Sequence, residues 1–225
     1  MKLLSILGRH WKESYLFILL ALGICTVFIK IVLFLYYHHN IPMGHLSRDL
    51  SVIANLPAHA GFLSQIGIFF WSGTTGICLL SYKVVSNFPR TDPIKRFFLI
   101  SAIFTLILGI DDAFVLHEDI FPAIGIPEKL VLLSYALFLS FYLVKFFRVI
   151  LQTEYLLLVT PLFFFGLSIF IDLLSRLRPD FLGIHDDIRL LLEDGTKLVG
   201  IVSWFIYFLH CGEQLILRYL RKYDF

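Results

Sequence analysis

Four acidic clusters carry the chemistry in this sequence: Asp111-Asp112, His117-Glu118-Asp119, His185-Asp186-Asp187 and Glu193-Asp194. The first and last are set about one turn into long apolar stretches. A carboxylate near hydrocarbon is costly unless it is paired, protonated or bound to a cation, so each such position points to function. Carboxylates joined by histidine suit zinc, iron or manganese better than calcium or magnesium. A bound metal would activate water, and a spare carboxylate would act as general base. On that reading Asp112 and Glu193 are the catalytic carboxylates, and Asp111, His117, Glu118, His185 and Asp194 are the metal ligands.

Spacing sets what these residues can share. On one continuous helix Asp111 and Glu118, seven apart, fall on one face about 10 Å apart along the axis. Lys197 follows Glu193 by four residues and Asp194 by three, so either carboxylate can pair with it locally. In the other arrangement Glu193 or Asp194 faces Asp111 and Asp112 across a bundle, with Lys197 beside them. Each cluster also has a plainer role. The 111–119 run can be a solvated helix end that fixes depth, and 185–187 can cap the last helix. Asp172 reads as a partner for Arg176 or Arg178.

The elements that hold these residues are membrane spans. Hydrophobic residues make up 58% of the 225 residues and charged ones only 16%, with a mean hydropathy of +0.83. That exceeds a soluble domain. Six stretches can cross a hydrocarbon layer about 30 Å thick: 14–37, 60–85, 96–117, 128–150, 153–174 and 188–217. The expected fold is all-α, a polytopic membrane helical bundle of about six transmembrane helices forming a single integral membrane domain over 1–225. The short link at Gln152-Thr153 predicts an antiparallel hairpin of the fourth and fifth spans. The first run is too long for a signal-peptide core and lacks a small-residue cleavage site, so it reads as a retained span. Gly67, Gly73 and Gly76 with neighbouring serines and threonines predict close helix packing, and Trp71 and Trp204 read as packing residues.

Orientation follows from the basic residues. Twelve of the Lys and Arg residues fall at the N-terminus, the even loops and the C-terminus, against five in the odd loops. The positive-inside rule then places both termini in the cytoplasm. Twelve of the seventeen acids and six of the eight histidines fall on the opposite face. The expectation is a multi-pass protein of the cell inner (plasma) membrane with its site facing the periplasm or exterior.

The paired motifs Asp111-Asp-Ala-Phe-Val-Leu-His-Glu118 and Leu192-Glu-Asp-Gly-Thr-Lys-Leu-Val-Gly-Ile201 resemble those of an orphan group of prokaryotic multi-spanning membrane proteins. That resemblance covers both motifs and the six-span layout and lends no activity. A more distant, partial similarity is to the alkaline ceramidases and adiponectin receptors, seven-span zinc hydrolases of lipid amides. It implies that metal-dependent hydrolysis is feasible in a helical bundle, although the last span here lacks their paired HxxxH.

Three functions fit: a metal-dependent membrane hydrolase acting on lipid or a related substrate, a cation- or proton-coupled transporter, and a structural or accessory subunit. The expected partners are membrane lipids and a membrane protein or a second copy of the chain. No basic stripe with interleaved aromatics supports nucleic-acid binding. Cys25, Cys78 and Cys211 have no CxxC spacing and predict no disulfide framework.

Overall fold

The computed structural model describes residues 19, 22–23, 25–48, 50–57, 59–88, 91–177 and 186–222. All regular structure among them is helical, and the chain falls into two compact units, Met1–Ala60 and Gly61–Phe225. The first unit contains α1 (Cys25–His39), α2 (Met43–Ser47) and α3 (Leu50–Ile53). Of the first predicted span, 14–37, residues 14–18, 20–21 and 24 lie outside the described residues. Pro42, with φ −56° and ψ 136°, ends the extended link and starts α2.

The second unit holds five helices long and apolar enough to cross a membrane, which makes this a polytopic helical membrane protein. They are α4 (Phe62–Ser86), α5 (Asp92–Phe114), α7 (Glu128–Ile150), α8 (Tyr155–Leu177) and α9 (Asp186–Lys222), with the short α6 (Phe121–Ala123) preceding α7. At 1.5 Å per residue, the 23 residues of α5, α7 and α8 each reach about 34 Å, enough to cross hydrocarbon. Local chemistry sets their ends. Gly61 adopts φ 66° ahead of α4, a conformation that costs glycine little. Pro93 sits in the first turn of α5, where its missing N–H removes no helical bond. The Thr91 hydroxyl lies 3.1 Å from the Val85 carbonyl and 2.9 Å from that of Phe88, tying the start of α5 to the end of α4.

The third span ends at Phe114, short of the predicted 117. Val115 takes the left-handed conformation at φ 52° and ψ 42°, and a π-helical turn covers Leu116–Ile120. For a β-branched residue this costs about 1–2 kcal/mol. The break overturns the expectation that Asp111 and Glu118 share a face, because no continuous helix joins them.

α4 packs against both α5 and α9, α8 packs on α9, and α7 packs on α5. Trp71, Cys78, Phe97, Trp204, Tyr207 and Phe208 are among the side chains at the centre of the core. Small residues let the backbones approach. A Cβ on Gly73 would lie 3.0 Å from the Phe205 ring, and one on Gly109 3.0 Å from Trp71 Cβ. The predicted close-packing role therefore holds for Gly67 and Gly73 but not for Gly76, whose Cβ would meet nothing within 4 Å. Among the described residues α7 and α8 do not pair along their lengths. Their short link is present, held by the Thr153 hydroxyl donating to the Ile150 carbonyl at 2.7 Å. Yet the hairpin expected from it is splayed, since each helix finds its packing surface elsewhere.

Gly200→Ala should be the most disruptive small change in this packing. Its Cβ would come within 2.7 Å of Phe165 Cδ1, and that ring is held in a stack with Trp71 at 5.8 Å. A loss of about 1–3 kcal/mol is expected from overpacking. Gly76→Ala should be neutral or stabilising by up to about 1 kcal/mol. Unfolding of both variants in mild detergent measures the contrast.

Candidate functional site

One end of the second unit collects the acidic residues. Asp111 and Asp112 close α5, Glu118 lies in the π-helical turn, Glu128 opens α7, Asp172 lies near the end of α8, and Glu193 and Asp194 lie near the start of α9. All seven line a cavity of about 350 Å³, together with His117, Lys197 and Tyr135. Its walls are apolar, with Trp71, Phe104, Leu132, Leu139, Phe165 and Trp204 among them. Glu128, Leu132, Tyr135, Ala136 and Leu139 present one face of α7, at the i, i+4, i+7 spacing of a helical stripe.

Asp111 is 4% exposed and explains the local break. Its Oδ1 accepts the backbone N–H of His117 at 2.9 Å, and its Oδ2 is 2.6 Å from His117 Nδ1. One carboxylate thus holds the chain that has turned out of α5 at Val115. The other ring nitrogen, Nε2, lies 3.3 Å from Glu118 Oε1. An imidazole with a carboxylate at each nitrogen is held as imidazolium, and these two hydrogen bonds raise the His117 pKa to about 9. The positive ring also offsets the cost of a carboxylate at the C-terminus of a helix, where the backbone dipole is negative.

Asp112 makes the second pair. Lys197 Nζ reaches from α9 to Asp112 Oδ1 at 2.5 Å. The Asp112 side chain is 7% exposed and that of Lys197 is 36% exposed. The partner of Lys197 is therefore across the bundle, where the helical spacing had offered Glu193 or Asp194. Gly67 of α4 makes room between the two helices. A Cβ there would stand 3.1 Å from Ile201 Cδ1 and 3.6 Å from Asp112 Oδ2. Among the described residues, Asp112 Oδ2 and Trp71 Nε1 are buried without a hydrogen-bond partner, a cost that the surrounding packing must absorb. Beside the pair, the Ser168 hydroxyl donates to the Glu193 carbonyl at 3.1 Å, fixing α8 against α9. Trp204 Nε1 donates to Thr105 Oγ1 at 3.0 Å deeper in the core.

The structure brings six of the seven sequence-predicted site residues to one cavity: Asp111, Asp112, His117, Glu118, Glu193 and Asp194. His185 lies outside the described residues. Glu128, Tyr135 and Asp172 join the lining although their acidic or phenolic groups stand alone in the sequence. Only the matching stripes of α7 and α8 could have indicated them. Trp71 and Trp204 do pack in the core as expected, and they also wall the cavity.

His117 has a carboxylate at both nitrogens, and Asp112 is engaged with an ammonium. Among the described residues no group of three or more His, Cys, Asp or Glu side chains has a geometry that could hold a metal ion.

Across the known proteins, the family model described as Domain of unknown function (DUF8692) matches residues 9–211. The chain belongs to that family. Both acidic motifs and every cavity-lining residue fall inside the matched range. No curated protein and no solved structure matches the chain.

Two predictions follow from these pairs. Because the folded-state pKa of His117 is raised, its contribution to stability is fully present below its ordinary value near 6.5 and is lost as pH rises through about 9. Melting temperatures from pH 6 to 10 should fall more steeply in the wild type than in His117→Gln. Lys197→Met should cost about 1–3 kcal/mol by stranding the Asp112 carboxylate, less than a fully enclosed pair because the ammonium is partly exposed. Adding Asp112→Asn to Lys197→Met should recover most of that loss in a detergent unfolding assay.

Proposed function

We propose that this protein binds a cation at the acidic end of the bundle, as a binding or transport protein of the inner membrane with that end facing the periplasm or exterior. One observation carries the reading: seven carboxylates line a cavity whose basic side chains, among the described residues, are His117 and Lys197. Low-dielectric apolar walls strengthen the field of such a lining. Lys197 occupies Asp112 when no ligand is present. An arriving cation competes for that carboxylate, so binding proceeds by exchange of ion pairs with no bond broken.

The fluorescence of Trp71 and Trp204, both in the cavity wall, reports binding of tetramethylammonium to purified protein in lipid nanodiscs. Saturable binding is expected. Glu193→Gln with Asp194→Asn should weaken it at least tenfold. Glu213→Gln, near the opposite end of α9, should leave it unchanged. A folded wild type that shows no saturable response to the cation defeats the reading.

A second reading, the metal-dependent lipid hydrolase, draws support from the meeting of Asp111, His117 and Glu118. It requires His117 to release a carboxylate before it can take a metal. Stoichiometric zinc, iron or manganese in purified wild-type protein, absent from His117→Ala, would move the assignment to that class.

A further inference from the structure

The cavity reaches the surface along α7 and α8 as well as at its acidic mouth. Its walls on α7 and α8 include Ala136, Gly166 and Ile169, and all three are exposed. Gly166 is the twelfth residue of the 23-residue α8, so this opening is near mid-span. A Cβ on Gly166 would meet nothing within 4 Å, which shows open space on that side of the helix. The opening has a structural cause in the splay of α7 and α8, each packed on a different partner. From Glu128 at the mouth to Leu139 the lined face of α7 runs for eleven residues, about 16 Å at helical rise. Acids gather at one end of this slot, and aromatic and aliphatic side chains line the rest.

We propose that the slot between α7 and α8 admits a membrane-resident amphiphile from the side, its ammonium head among the carboxylates and its hydrocarbon tail between the two helices. The inference rests on cation binding at the same site and names the class of cation. Three features select this occupant. The carboxylates at the mouth complement a positive head and repel an anionic one. The apolar lining continues from there toward the middle of the bilayer, as a tail would. The exposed side of the slot is where lipid, rather than water, surrounds a spanning helix. A small hydrophilic cation would use the mouth and leave the slot unfilled.

The test compares tetramethylammonium with dodecyltrimethylammonium in nanodiscs, read by Trp71 and Trp204 fluorescence in a Trp11→Phe background. The long-chain cation should bind at least tenfold more tightly than its partitioning into protein-free nanodiscs explains. Dodecyl sulfate and an uncharged dodecyl glycoside should not. Ala136→Phe and Gly166→Phe fill the slot from its two walls; Ala136 is exposed and a Cβ on Gly166 meets open space, so both variants should fold. Each should abolish the advantage of the long chain over tetramethylammonium. Equal affinity for the two cations in the wild type overturns the lateral slot while the cation site stands. Loss of binding to both cations in the wild type removes the underlying site as well. Equal binding of the sulfate or glycoside overturns the ammonium head. If the phenylalanine variants change the oligomeric state and leave long-chain binding intact, the slot is a seam between copies of the chain, and the proposal fails.

Discussion

The bond between Asp112 and Lys197 is the constraint around which the second unit is arranged. A carboxylate and an ammonium carried on separate helices cannot remain apart in hydrocarbon without large desolvation costs. Bringing them together sets the register of α5 against α9, with Gly67 of the intervening α4 packed closely on Ile201 beside the pair. The same geometry then brings Trp204 to Thr105 about two turns deeper. Aromatic packing around Phe97, Tyr142 and Phe208 continues toward the opposite end. Polar pairing locates the helices, and apolar packing fills the space between them.

Asp111 solves a different problem with the same chemistry. A carboxylate at the end of α5 faces the negative pole of the helix, and the strain at Val115 adds to the cost. The His117 ring and its backbone N–H answer both at once, one with charge and the other with a hydrogen bond. Adjacent aspartates therefore have separate tasks: Asp111 terminates its own helix, and Asp112 reaches for another. Their different partners give the cavity one local imidazolium and one ammonium from across the bundle.

Much of this was legible in the sequence, because hydrophobic run length and the cost of buried charge are one-dimensional signals. The apolar runs marked the five described spans, and acid placement marked Asp111, Asp112, Glu193 and Asp194 as residues of a common site. The partner of Lys197 was not legible. Residues at i−3 and i−4 compete on paper with any residue across a bundle, and only the three-dimensional approach past Gly67 favours Asp112. The turn at Val115 was equally hidden, since a valine carries no signal for left-handed backbone and the stabilising bonds come from a side chain four residues earlier. Asp172 read only as an arginine partner and Glu128 drew no reading, because a solitary acid has no pattern. Their membership in the site comes from the placement of α7 and α8.

The splay of α7 and α8 has a consequence for what counts as the boundary of this molecule. Ala136, Gly166 and Ile169 are at once cavity wall and outer surface, so on that side the solvent of the protein is also the solvent of the site. With the lateral opening proposed above, acyl-chain order, bilayer thickness and lateral pressure would act directly on the shape of the cavity. A micelle and a thick, sterol-stiffened bilayer would present two different chambers built from one amino-acid sequence. On the proposed lateral opening, the surrounding lipid would be a structural component of the site, as much as any of the helices that frame it.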